Sequence, residues 1–309
     1  MSEREIVCAD LNAAIDDLRR DGFRLDLIYP ADDPHSAVLS RVDESVQLTS
    51  KPGAPAPQGL PPFAPEFVLT RADKSAGEGR AGMLYRDLIP GRLGGRYIAS
   101  LISIPQGGPV ADWVHFHHVA LQMIGVRRGW VRVVYEDQGD AFVMHEGDLV
   151  LQPPGIRHRV LDSSPGLEVI EIGAPALHAT FADHDLQLPN GTDPSRTFGR
   201  QRFLRHVAAE TPWTPYCGGE AQETSMASAT DGLADVRTIR GNVTVPARDG
   251  ELVFGFVLDG SARLDLDAGF KLEAGDAFVI PPEKDWSVTG ASADFRLLQV
   301  LTNRLPASA

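Results

Sequence analysis

The chain reads as an all-β protein built from two copies of one unit, with a short helical piece near its start. Three observations carry this reading. Runs rich in β-branched and aromatic residues alternate between glycine- and proline-containing turns, the pattern of half-buried strands. One motif occurs twice: Gly147–His158 is G-D-L-V-L-Q-P-P-G-I-R-H, and Gly275–Trp286 is G-D-A-F-V-I-P-P-E-K-D-W. Upstream of these, E-L-V-F-G-F-V-L-D-G ending at Gly260 matches the run ending at Gly129, and such self-similarity marks an internal duplication.

Taken in order, Leu11, Ile15 and Leu18 fall at helical spacing and predict an amphipathic helix over Leu11–Arg20, ending near Gly22. Phe23–Tyr29 and Ala37–Leu48 alternate as a strand hairpin would. Lys51–Pro65 is rich in Pro, Gly and Ala and reads as an extended linker. Tyr97–Ile104, His117–Val126, Trp130–Tyr135, Asp148–Leu151 and Leu167–Ile172 read as strands of the first unit. Ala174–Asp235 holds the turn signals P-N-G-T-D-P, T-P-W-T-P and C-G-G and reads as a long structured crossover. The expected division is an N-terminal appendage and linker (1–66), a first unit (67–175), the crossover (176–235) and a second unit (236–309).

Composition sets bounds. A chain of 309 residues is long enough for two domains with real cores. Its longest apolar runs are too short for a membrane helix. The opening M-S-E-R-E-I-V-C-A-D lacks the basic-then-apolar pattern of a signal peptide. Cys8 and Cys217 show no pairing pattern, so a reducing cytoplasm is expected, with thiols outside any ligand set. A net charge of −13 disfavours a nucleic-acid partner but not an anionic small substrate, because a bound cation dominates its own pocket. A glycine-rich phosphate cradle, a C-x-x-C pair and a G-x-S-x-G elbow are all missing from the sequence.

The chemistry concentrates on His115, His117 and His158. Residues i and i+2 of a strand share a face, so His115 and His117 can converge, and His158 must arrive from another strand. Three imidazoles with positions left over suit a catalytic metal better than a closed structural site. Gln122 lies five residues past His117, so a bulge or turn must intervene before it can face the same point. Gly155 marks a tight turn that would deliver His158 at the start of a strand.

These segments resemble the paired motifs of the cupin superfamily. His115-x-His117 is followed by Gln122 and Gly129 at the intervals of the first motif, and Gly147, Pro153, Gly155 and His158 fit the second without a gap. Gln122 replaces the usual Glu, Asp162 stands where Asn is common, and Pro109 occupies the leading glycine position. The resemblance implies two double-stranded β-helix (jelly-roll) barrels with the metal inside the first. The second copy places Trp286 where the first has His158, and no histidine follows His206, so it is metal-silent. The implied ligands are His115, His117 and His158. Gln122 either ligates through its carbonyl oxygen or hydrogen-bonds metal-bound water or substrate.

Among the other residues, His118 is expected to point away and pack, and His35, His145, His178, His184 and His206 to be solvent or loop residues. Glu168 and Glu171 could be bases, but surface strand carboxylates are the simpler expectation. Trp213 and Tyr216 could line a substrate mouth, although aromatic residues in a crossover usually pack. Three neutral imidazoles leave a divalent ion close to its full charge, which favours Fe(II) binding substrate and then O₂; Mn, Ni or Zn are alternatives. The leading expectation is a mononuclear non-haem iron dioxygenase acting on a small organic acid, diketone or phenol, with Gln122 positioning substrate or O₂. The alternatives are a metal-dependent isomerase or lyase working without O₂, and a small-molecule binding or sensor protein. Barrel-edge pairing would make the protein a homodimer.

Overall fold

The computed structural model describes residues 2–51, 59–78 and 83–305. Residues 52–58 of the predicted linker lie outside them. The helix forms over Leu11–Arg20 as its periodicity requires. Asp10 caps it, accepting the Ala13 amide at 3.0 Å, and its apolar stripe of Leu11, Ile15 and Leu18 is buried. That stripe covers a small sheet of Arg24–Tyr29, Ser36–Arg41 and Glu44–Thr49, against Leu25, Ile28, Leu39 and Leu48. The run Ala37–Leu48, expected as one arm of a hairpin, is itself the hairpin, turning at Val42 and Asp43. The strand Ser2–Val7 adds in parallel beside Glu44–Thr49.

Each unit is a pair of antiparallel sheets. The first unit joins Thr180–Ala182, His115–His117, His158–Ser163, Trp130–Tyr135 and Phe142–His145 in one sheet. Leu149–Leu151, Leu121–Arg128, Leu167–Ala174, Ile98–Ile104 and Leu84–Asp87 make the other. The expected strand His117–Val126 is therefore two strands in two sheets, with residues 118–120 making the passage. The N-terminal sheet is not separate, because Arg24–Tyr29 pairs with Thr180–Ala182.

The second unit repeats this plan. Ala234–Arg240, Arg296–Thr302, Val253–Asp259 and Ala277–Val279 form one sheet, and Val243–Val245, Trp286–Thr289, Ser261–Asp265 and Gly269–Glu273 the other. Two strands pair outside the units in which they were expected. Val68–Thr70, at the start of the expected first unit, pairs with Ala277–Val279 of the second, and Leu204–His206 of the crossover pairs with Leu149–Leu151 of the first.

Strand alternation decides what faces what. Along Leu121–Arg128, Leu121 and Met123 enter a core shared by the two units, whereas Gln122 and Ile124 face the interior of the first. Along Leu167–Ala174, Ile170 and Ile172 join the same core, with Val169 and Glu171 turned inward. Phe254, Phe256, Leu298 and Val300 supply the other side. Each such fully buried large side chain contributes about 1.5–3 kcal/mol of transfer free energy.

Candidate metal centre

His115 and His117 lie on one short strand, with Phe116 between them on the other face. His158 opens the next strand and stands directly opposite His115 in the antiparallel register. Gly155, at φ +75°, makes the turn before it, and its amide donates to the His117 carbonyl at 3.0 Å. The turn is thus fastened to the strand that carries the other two rings. All three histidines are buried, and one nitrogen from each lies within 4.8 Å of the other two.

Their hydrogen bonds settle which nitrogen faces inward. Nδ1 of His115 donates to the Trp113 carbonyl at 2.8 Å, Nδ1 of His158 to the Ile156 carbonyl at 3.0 Å, and Nδ1 of His117 to the Ala179 carbonyl at 3.3 Å. A carbonyl only accepts, so Nδ1 of each ring carries a proton, and in the neutral ring the lone pair is then on Nε2; the Thr180 hydroxyl also lies 3.4 Å from His117 Nδ1. This is the arrangement in which outer hydrogen bonds orient imidazole ligands. Asp112 adds a buried carboxylate 3.5 Å from His115 Nδ1 and is itself held by the Val160 amide at 2.9 Å. Three converging neutral imidazoles could hold one divalent metal ion.

Gln122 does reach this cavity, because the passage at residues 118–120 carries the chain into the second sheet. Its amide nitrogen donates to Glu171 Oε1 at 2.7 Å. Glu171 is 7% exposed and lines the cavity, contrary to the expectation of a surface carboxylate. It sits diagonally from Gln122 on the same sheet face, a pairing that sequence spacing alone does not reveal. Glu168 is partly buried and pairs with Arg127 at 2.6 Å. Gln152 and Tyr135 also line the cavity, joined by a 2.8 Å bond from Gln152 Nε2 to the Tyr135 hydroxyl. Burial raises the Tyr135 pKa far above the usual phenol range, and its ring stacks 5.5 Å from that of His158. Ile102, Ile124, Val131, Val133, Met144 and Val169 make much of the remaining wall apolar.

Other predicted residues fall elsewhere. His118 is exposed and packs its ring against Phe181, while His145 and His184 are exposed as expected. His35, His178 and His206 are buried, not solvent residues. His35 meets Tyr29 edge to face, and the ring of His178 stands 5.2 Å from that of His117. Trp213 and Tyr216 stack under Arg240 and Arg237 rather than at the cavity. In the second unit, Val245 pairs with Trp286 where the first pairs His115 with His158. Its interior is filled: the Phe278 ring lies over Gly255, at 2.2 Å from where a Cβ would stand, and meets Trp286 edge to face.

Solved structures share this double-barrel arrangement. YlbA from E. coli superposes with a TM-score of 0.54 at 12% identity, covering 80% of this chain and 94% of that one. An oxalate decarboxylase from Bacillus subtilis gives 0.56 at 14% identity, covering 76% and 77%. A putative glyoxylate-induced protein from Pseudomonas aeruginosa gives 0.55 at 15%, covering 82% and 94%. The chain has a bicupin fold. No protein-family profile matches it, and no curated protein matches its sequence. At these identities the bicupin likeness speaks for architecture; the chemistry must be argued from the site.

Proposed function

We propose that this bicupin is a metal-dependent enzyme, a mononuclear non-haem Fe(II) dioxygenase acting on a small organic acid, diketone or phenolic substrate. The observation that carries this is the Nδ1 anchoring of three buried imidazoles beside a neutral amide, in a largely apolar cavity. His115, His117 and His158 would hold the ion through Nε2. Gln122, its nitrogen engaged by Glu171, keeps its carbonyl oxygen for the cavity, and we assign that oxygen to orienting substrate. A divalent iron ion in such a site would supply Lewis-acid and oxygen-dependent redox chemistry.

The protein's own contribution is preorganisation. Backbone carbonyls fix the rings before anything binds, Asp112 supports His115, and the aliphatic wall excludes water, strengthening each polar contact inside. The test is metal analysis of protein purified anaerobically, followed by O₂ uptake with candidate substrates. About one iron per chain with O₂-dependent turnover is the expected result. Turnover under strict anaerobiosis would instead support a lyase or isomerase, a reading favoured by Glu171 as a carboxylate positioned to move a proton. A decarboxylase among the proteins of like fold is compatible with that second reading.

A further inference from the structure

We propose that the cavity selects a hydroxylated, otherwise apolar molecule, a phenol or an enol, whose O–H is received by Glu171, and that it discriminates against dicarboxylates. This rests on the metal-enzyme reading above and narrows its substrate class.

Glu171 is the only acidic side chain lining the cavity among the described residues. One of its oxygens accepts from Gln122, and the carboxylate faces the cavity. A carboxylate in a largely apolar cavity recognises a ligand that brings a donor, because a hydrogen bond to a charged group is worth more there than one between neutral groups. Gln122 presents its carbonyl oxygen beside Glu171 as a second acceptor, its nitrogen being engaged.

Among the described residues, no Lys or Arg side chain points into the cavity to meet a carboxylate. Besides the three histidines, Arg159 is the one basic residue at the cavity among the described residues. It lies between His158 and Val160, which face inward, so strand alternation turns its side chain to the opposite face, where it is exposed. A dicarboxylate held at one end sets its second carboxylate near Glu171, with no Lys or Arg side chain among the described residues between them. The aliphatic wall likewise suits a hydrocarbon body.

The test is calorimetric titration of the full chain, metal-free and zinc-loaded, with 4-methylcatechol and with oxalate, metal content being measured before and after. Zinc binds without turnover, so recognition is read apart from catalysis. We expect 4-methylcatechol to bind the zinc-loaded protein at least about tenfold tighter than oxalate, the scale of one hydrogen bond to a charged group. Glu171→Gln should erase that preference while keeping full zinc content, since a Gln–Gln contact preserves shape. Oxalate binding as tightly as 4-methylcatechol to the wild type overturns the proposal, as does an undiminished preference in Glu171→Gln. A failure of the metal reading looks different: no zinc is retained, and the preference is then judged on the metal-free protein. Should Glu171→Gln misfold by circular dichroism, the wild-type comparison alone decides.

Discussion

At the scale of single residues, the site works by commitment of the imidazole rings. Because each Nδ1 proton is already bonded to a main-chain carbonyl, the rings need little reordering to present Nε2. His117→Ala should therefore abolish both bound metal and O₂ consumption; retention of either by elemental analysis and oxygen electrode would refute the ligand assignment. Asp112 acts one step back, through His115. Asp112→Asn keeps the shape and removes the charge, and should weaken metal affinity by about tenfold, the low end for outer-layer partners. A competition titration against a chelator measures it, and an unchanged affinity would mean Asp112 does not act through His115.

At the scale of elements, turns and exchanged strands hold the site in register. Gly155 has a left-handed backbone with no atom within 4 Å of where a Cβ would stand, so Gly155→Ala isolates conformational strain from clash. It should cost about 1–2 kcal/mol in urea unfolding and lower metal affinity as well, since the turn delivers His158. The strand Leu204–His206 offers a pH test. His206 is buried and desolvation lowers its pKa, against a weaker opposing pull from Asp148. The unfolded chain thus binds the proton more readily than the fold does. The contribution of His206 is fully present at neutral pH and is lost as pH falls below the ordinary histidine value, about 6.5. Urea midpoints at pH 7.5 and 5 should therefore fall less in His206→Gln than in the wild type; equal losses would dismiss this residue as an acid trigger.

At the scale of the molecule, the two barrels are one folding unit in practice. They share a core, exchange Val68–Thr70 across their boundary, and meet at a buried polar cluster. There Arg96 pairs with Glu251 at 2.7 Å, and the Tyr97 hydroxyl donates to the same carboxylate at 2.8 Å. Glu251→Ala would leave Arg96 without its counter-ion, so a loss of about 3–5 kcal/mol is expected. Thermal unfolding should show one transition shifted down, not two separated ones. The open edge of Ser2–Val7 is where a second copy could add, and sedimentation of the purified chain is expected to give a dimer. No helix among the described residues is long and apolar enough to cross a membrane.

The helix at Leu11–Arg20, the duplication, the placing of Trp286 where the first copy has His158, and the convergence of His115, His117 and His158 were all legible in the sequence. Each rests on local spacing: 3.6-residue periodicity, a repeated motif, and i, i+2 alternation joined to a glycine turn. What required the tertiary structure is everything set by register between distant strands. Glu171 looks like any strand carboxylate until Leu167–Ala174 pairs with Leu121–Arg128 and brings it to Gln122. Asp112 has no motif, and gains meaning only where it meets His115 and Val160. The exchange of Val68–Thr70 into the second barrel is likewise invisible to periodicity, because an isolated short strand carries no signal of which sheet edge it completes. Local sequence thus chose the rings, while long-range pairing chose the polar groups that surround them, since hydrogen-bond partners across a sheet are fixed by three-dimensional register rather than by sequence distance.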